Sequence, residues 1–203
     1  MIVIVDYNMG NVASVANMLS RIGAADVLVS RDPADVARAS KIILPGVGAF
    51  DRGMAHLEAY GLLDVLNERV LERRTPVLGI CLGMQLLTDS SEEGERAGLG
   101  WIPGGAVRFS FEAGSEMKVP HMGWNYVDVR NRNPLFNEEE RSRFYFVHSY
   151  YVAPSDPDHV VATANYGIEF ACAVGHGNVW GVQFHPEKSH RFGMMLLQNF
   201  VEA

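Results

Sequence analysis

The sequence predicts an α/β fold: a three-layer, doubly wound sheet, mixed but mostly parallel, in one domain spanning residues 1–203. Two observations carry this. Short β-rich runs alternate with longer helical patterns through the first half of the chain. In addition, Pro76-Val77-Leu78-Gly79-Ile80 is an unbroken apolar strand, of the kind buried on both faces.

The elements follow in order. Ile2 to Asp6 reads as a strand, and Asn11 to Arg21 as a helix whose Val12, Val15, Leu19 and Ile22 recur at helical spacing, with Gly23 as its stop. Val27 to Val29 is the second strand. Asp32 before Pro33 is an N-cap followed by proline at the first helical position. Lys41 to Leu44 is strand three. Helices over Phe50 to Glu58 and Leu62 to Arg73 precede the apolar strand, and a helix over Leu82 to Thr88 follows it. From Trp101 the pattern changes to strands and turns, at Trp124 to Val129, Arg143 to Val147 and Val160 to Ala164, which are expected to extend the sheet. Phe170 to Val174 and Val179 to Phe184, joined through Gly175-His176-Gly177-Asn178, read as a hairpin. A last helix covers Arg191 to Val201, and the acidic run Glu138-Glu139-Glu140 reads as a solvated helix start. In such folds ligands bind beyond the carboxyl ends of the strands, so the loops there are the candidate site.

Composition narrows the function. The 203 residues are 48% hydrophobic, enough for a sizeable core, and the net charge of −7 argues against a nucleic-acid partner. No stretch approaches the roughly 18 consecutive apolar residues of a membrane span. Two cysteines and the absence of a leader pattern at Met1-Ile2-Val3-Ile4-Val5-Asp6 point to the cytoplasm.

Gly79-Ile80-Cys81-Leu82-Gly83 has the form of a nucleophile elbow, with cysteine between two glycines at a strand-to-helix turn. The helix that follows points its N-terminus at the sulfur and favours the thiolate. Cys172 lies in an apolar strand and reads as an inert core residue. Of seven histidines, His185 has the best claim to be the base: Gln183-Phe184-His185-Pro186-Glu187 again follows an apolar strand. Glu187, two residues on, faces the same side of an extended segment and can orient the imidazole, giving a Cys-His-Glu triad. A buried histidine beside a surface glutamate is the competing reading. Leu44-Pro45-Gly46-Val47-Gly48 offers backbone N–H groups for an oxyanion, together with that of Leu82. The same loop fails the dinucleotide spacing and has no P-loop lysine. No His or Cys pair has zinc-ligand spacing, so neither metal nor cofactor is expected.

Leu-Pro-Gly-Val-Gly at 44–48, Gly-Ile-Cys-Leu-Gly-Met-Gln at 79–85 and Gln-Phe-His-Pro-Glu-Lys-Ser at 183–189 together resemble the class I, triad-type glutamine amidotransferases. More narrowly, Asp6-Tyr7-Asn8-Met9-Gly10-Asn11, Pro120-His121-Met122-Gly123-Trp124-Asn125 and His148-Ser149-Tyr150-Tyr151 resemble the glutaminase subunits of imidazole glycerol phosphate synthases. The resemblance covers nearly the whole chain. It implies hydrolysis of L-glutamine to glutamate and ammonia through a cysteinyl thioester, with ammonia passed to a separate (β/α)₈ cyclase subunit in histidine biosynthesis. Cys81 is then the nucleophile, His185 the base, Glu187 its orienter, and Gly48 and Leu82 the oxyanion donors. Gly46, Gln85, Ser149 and Tyr150 resemble substrate-holding positions, and Glu92 is placed to neutralise the substrate's ammonium. His121 and His148 read as structural or substrate-wall groups, not bases. Asn8, Asn11, Trp124 and Lys188 are the candidates for the cyclase interface. Asn8 stands where many such subunits carry glycine, and His190 where Gln is familiar. Two other readings remain open at this point: a glutaminase feeding another synthase, and a redox-sensing domain in which Cys81 is reversibly oxidised.

Overall fold

The computed structural model describes residues 1–112, 114–131, 133–136 and 142–203. The expected helix start at Glu138-Glu139-Glu140 lies outside them. The chain opens with β1 (Ile2–Val5), then α1 (Val12–Arg21), capped by Asn11, whose side-chain oxygen accepts the Ser14 N–H at 3.2 Å. Gly23 ends that helix at φ +77°, a conformation free of strain only for glycine. β2 (Val27–Ser30) leads to α2 (Pro33–Ala37), where Asp32 accepts the Ala34 N–H at 2.8 Å and Pro33 occupies the first turn. β3 (Lys41–Gly46), α3 (Phe50–Ala59) and α4 (Leu62–Asn67) follow. The single helix expected to reach Arg73 instead widens into a π-helical turn at Glu68–Glu72, which keeps Val70 buried while Arg69 donates to the Ala39 carbonyl. β4 (Val77–Cys81) runs directly into α5 (Leu82–Leu86). That helix stops short of the expected Thr88, whose hydroxyl donates back to the Gln85 carbonyl at 2.8 Å.

The second half holds β5 (Ser90–Ser91), β6 (Gly104–Arg108), β7 (His121–Tyr126), β8 (Asp128–Val129), β9 (Arg143–His148), β10 (Tyr150–Pro154), β11 (Val160–Tyr166), β12 (Ile168–His176), β13 (Val179–Val182) and α6 (His190–Glu202). The main sheet runs β2-β1-β3-β4-β13-β12-β10-β6-β5, with β11 pairing β12 and β8. The strands from β2 to β13 are parallel; β12 and β13 form the expected hairpin, and the extension beyond it is largely antiparallel. One expectation fails: β7 and β9 do not extend this sheet but pair with each other as a separate antiparallel ribbon, Trp124 opposite Tyr145. Alternation along a strand specifies which side is buried, not which sheet it joins.

Alternate residues of the central strands feed two cores. Ile2, Ile4, Leu78 and Ile80 pack with Val15 and Leu19 of α1 and Leu196, Leu197 and Phe200 of α6. Val3, Val5, Ile42, Leu44 and Val77 pack with α3, α4 and α5 through Met54, Leu57, Leu62, Leu66 and Leu86. Helices therefore cover both faces, as three layers require. Because β3, β4 and β13 are adjacent and parallel, with Gly46 opposite Cys81 and Val182 opposite Ile80, their carboxyl ends emerge side by side. Three loops distant in sequence are thereby brought to one place. Among the described residues, no helix is long and apolar enough to cross a membrane.

Candidate active site

Cys81 is the last residue of β4 and takes φ +54°, ψ −110°, a strained backbone for any residue with a side chain. The flanking glycines allow the strand and helix to meet this closely. A Cβ on Gly83 would lie 1.7 Å from the Leu44 carbonyl oxygen, and one on Gly79 would lie 2.7 Å from that of Gly83.

His185 follows β13 and is held by its own backbone. Its N–H donates to the Tyr145 carbonyl at 2.9 Å, and its carbonyl accepts the Ser189 hydroxyl at 2.6 Å. The Tyr145 N–H donates to that same hydroxyl at 3.0 Å, tying the turn to β9. Stacking of Phe184 on Phe144, with centroids 3.9 Å apart, fixes the residue before it. His185 Nδ1 is 2.7 Å from Glu187 Oε1, so Nδ1 carries the proton and Nε2 is left for the thiol. Among the described residues Nε2 makes no hydrogen bond of normal geometry, yet Cys81 is close enough to act on the ring. Burial opposes a charge on the imidazole, but Cys81 and Glu187 more than offset it and raise its pKa to about 9.

A cavity of about 470 Å³ opens in front of the sulfur, lined by Val47, Gly48, Ala49, Cys81, Leu82, Gln85, Glu93, Pro120, Val147, His148, Ser149 and Tyr150. His185 and Glu187 sit behind this lining. Gly48, at φ +117°, and Leu82 both border the cavity beside Cys81, where their N–H groups were expected to act. Gln85, Ser149 and Tyr150 also line it, and Gln85 Nε2 donates to the Tyr150 carbonyl at 3.1 Å.

Two expected substrate residues are elsewhere. Gly46 is buried beneath the loop, where a Cβ would come within 2.3 Å of the Tyr7 hydroxyl; it permits close packing and does not line the cavity. Glu92 is exposed and turned toward β6, accepting the Arg108 N–H at 2.7 Å. Its neighbour Glu93 takes the place on the wall, with Oε2 accepting the Phe50 N–H at 2.8 Å. The sequence reading also did not single out Gln183, whose side-chain Nε2 is 3.8 Å from Cys81 Sγ. Its position two residues before His185 in an extended segment was the available signal.

His148 lines the cavity and His121 lies behind it, Nδ1 of His121 being 3.0 Å from Nε2 of His148. Burial lowers their pKa values to about 4 for His121 and about 3 for His148, so both are neutral in ordinary buffers. Cys172 is sealed in the core, where burial pushes its thiol pKa well up. Among the described residues, no group of three His, Cys, Asp or Glu side chains is arranged to hold a metal ion.

Asn8, Asn11, Trp124 and Lys188 are all exposed. Trp124 stacks on His190 with centroids 5.5 Å apart, and Arg143 lies 5.4 Å over its ring. Tyr145 lies between Trp124 and Lys188, its ring centroid 6.2 Å from the first and 5.7 Å from the Nζ of the second. Asn8 has φ +62°, which asparagine tolerates and glycine adopts freely.

An elbow cysteine before a buried His–Glu pair, at the carboxyl ends of a doubly wound sheet, is the layout of a cysteine-dependent amide hydrolase. Solved structures support the fold: a glutamine amidotransferase is 21% identical with TM-score 0.77, covering 98% of this chain and 97% of that one. PurLQS from Thermotoga maritima is 20% identical with TM-score 0.72, over 99% and 97% of the two chains. The family "Glutamine amidotransferase class-I" matches residues 3–203. Curated relatives include "Imidazole glycerol phosphate synthase subunit HisH 2" of Methanococcus maripaludis, 53% identical over 100% of this chain and 99% of its own. The protein of the same name from Pseudomonas aeruginosa is 55% identical over the same shares. The chain belongs to the class I glutamine amidotransferases, in the branch of the HisH subunits of imidazole glycerol phosphate synthase.

Proposed function

We propose that the chain is a single glutaminase domain that hydrolyses L-glutamine and supplies the ammonia to a (β/α)₈ cyclase subunit, which makes imidazole glycerol phosphate in the cytoplasm. The observation that carries this reading is the strained Cys81, set between an open cavity and the buried His185–Glu187 pair.

In this reading Cys81 Sγ gives its proton to His185 Nε2 and attacks the carboxamide carbon, and the C=O electron pair moves onto oxygen. The Gly48 and Leu82 N–H groups stabilise that oxyanion. His185, held by Glu187, gives its proton to the departing nitrogen, and ammonia leaves a glutamyl thioester. His185 then takes a proton from water, which attacks the thioester. Glutamate is released and the proton returns to the sulfur side. Gln85, Ser149 and Tyr150 hold the amino-acid end of the substrate. Trp124, Lys188, Asn8 and Asn11 are assigned to the face that meets the cyclase; the turn bearing Lys188 packs beside α1, which Asn11 caps.

The test is glutamate release from glutamine by the purified chain, alone and with the cyclase subunit and its nucleotide substrate. Stimulation by that pair, lost in Cys81→Ala, is the expected result. No release with a bound cyclase that is competent on free ammonia overturns the reading.

A further inference from the structure

We infer that Gln183 is a further catalytic residue: its side-chain N–H donates to the Cys81 sulfur, holding it in place and favouring the thiolate over the thiol. The inference rests on Cys81 being the nucleophile, as proposed above.

Gln183 is fully buried immediately after β13, with Nε2 3.8 Å from Cys81 Sγ and Oε1 3.3 Å from Gln85 Nε2. An amide has a donor end and an acceptor end, so what matters is which end meets the sulfur. The surrounding bonds decide it. The Tyr150 carbonyl can only accept, and it receives two donors, Gln85 Nε2 at 3.1 Å and His148 Nδ1 at 2.8 Å. Gln85 must therefore turn its NH₂ group toward that carbonyl, and the second hydrogen of the same group points to Gln183. Gln183 must then present its oxygen to Gln85, which leaves its own NH₂ facing the sulfur.

The other arm of the chain agrees. His148 uses its Nδ1 proton on Tyr150, so its Nε2 accepts from His121 Nδ1 at 3.0 Å. His121 Nε2 then faces Asn125 Nδ2 at 3.4 Å, and Asn125 also donates to the Asn165 carbonyl at 2.8 Å. Every donor along both arms meets an acceptor, so reversing Gln183 would set an oxygen against the sulfur and an NH₂ against an NH₂. Flipping one amide is thereby penalised at two contacts.

A hydrogen bond to sulfur is stronger when the sulfur is charged, so a donor here stabilises the attacking species. The donor is also fixed by the fold, since Val182 pairs with Ile80 and sets the backbone beside Cys81. The titratable groups around the thiol are His185 and Tyr7, with Glu93 and His148 on the cavity wall. Gln183 adds no charge to this set.

The test is the rate at which iodoacetamide alkylates Cys81, read by the mass of its peptide, at pH 7 and at pH 10. Gln183→Met is expected to slow alkylation at pH 7 by about tenfold or more, while the rate at pH 10 approaches that of the parent. A role confined to packing would leave the ratio of the two rates unchanged, and that result in a folded variant overturns the inference. If that variant does not fold, Gln85→Met leaves Gln183 in place without the donor that orients it; a lowered pH 7 to pH 10 ratio supports the inference and an unchanged one overturns it. Alkylation needs no glutamine turnover, so failure here is distinct from failure of the glutaminase reading, which Cys81→Ala and glutamate release decide.

Discussion

His185 Nδ1 stands 2.7 Å from Glu187 Oε1, with the two side chains only 2% and 4% exposed. A carboxylate that deeply placed depends on the imidazole at Oε1 for compensation, Oε2 meeting no partner among the described residues. Together with Cys81, the pair explains why an imidazole that burial would keep neutral has its pKa raised to about 9.

Cys81 and Glu187 together raise the His185 pKa, and Glu187→Gln removes the second of these charges, so the ring should release its proton at lower pH than in the parent. Ring-carbon or ring-nitrogen chemical shifts of His185 against pH measure this directly. Stability has a definite sign. A histidine raised from 6.5 to about 9 contributes stability that is complete below about pH 6.5 and is lost as pH rises through about 9. Denaturation midpoints should therefore fall between pH 6 and pH 9.5 by more in the parent than in Glu187→Gln. Glutaminase activity of this variant should exceed that of Cys81→Ala, because an orienting group is lost and not the nucleophile.

The backbone at Cys81 yields a prediction about stability alone. Alanine inherits φ +54° with its penalty, whereas glycine escapes it. Glycine's greater freedom in the unfolded chain ordinarily costs about 0.5–1 kcal/mol against alanine. With strain of roughly 1–3 kcal/mol relieved, Cys81→Gly should be the more stable of the two by about 1 kcal/mol. Both lack sulfur and both should be inactive. Urea denaturation of the pair checks it, and a glycine variant less stable than the alanine one by about 0.5–1 kcal/mol would show that the elbow is not strained.

The parts of this site that were legible in sequence are those at strand ends. Cys81 follows an unbroken apolar run and His185 an apolar strand, and buried parallel strands must end together for their loops to meet. Asp32 announced its helix because a cap is a local interaction between residues two or three apart, whereas the cap at Asn11 emerges only in the structure. What was not legible depends on irregular or long-range geometry. Glu92 and Glu93 are adjacent in a turn with no period, so nothing in the sequence says which faces the cavity. The ribbon of β7 and β9 reads as ordinary strand, and its separation from the main sheet depends on pairings across the chain. Gln183 carries little signal in sequence because an amide has no reactivity of its own; its direction emerges only from the bonds running through Gln85 to Tyr150.

Gly83 is a site where one methyl group is decisive. Its added Cβ would overlap a backbone oxygen of β3, which cannot move without shifting the strand that leads into Gly46–Gly48. Gly83→Ala is expected to lose about 3 kcal/mol or more, or to be recovered unfolded. Gly23 offers the contrast: a Cβ there meets nothing within 4 Å, and only its φ of +77° opposes substitution. Gly23→Ala should therefore cost about 1–2 kcal/mol and leave glutamine turnover intact. Thermal unfolding of both variants separates collision from backbone strain.

Glu92 and Glu93 can be told apart by kinetics. Glu93 places a carboxylate on the cavity wall with one oxygen engaged by the Phe50 N–H, leaving the other to meet a substrate ammonium. Glu92 spends its carboxylate on the Arg108 N–H, outside the cavity. Neutralising a charge that pairs with substrate weakens binding by about 1.5–3 kcal/mol, roughly tenfold to a hundredfold. Glu93→Gln should therefore raise the KM for glutamine by that factor, with a smaller change in kcat, because the amide retains the backbone contact while losing the charge. Glu92→Gln should leave KM within about twofold of the parent, since surface substitutions of this kind have small effects. A large KM effect at Glu92 and none at Glu93 would mean that the turn after β5 is arranged differently when substrate is bound, and would return the ammonium contact to Glu92.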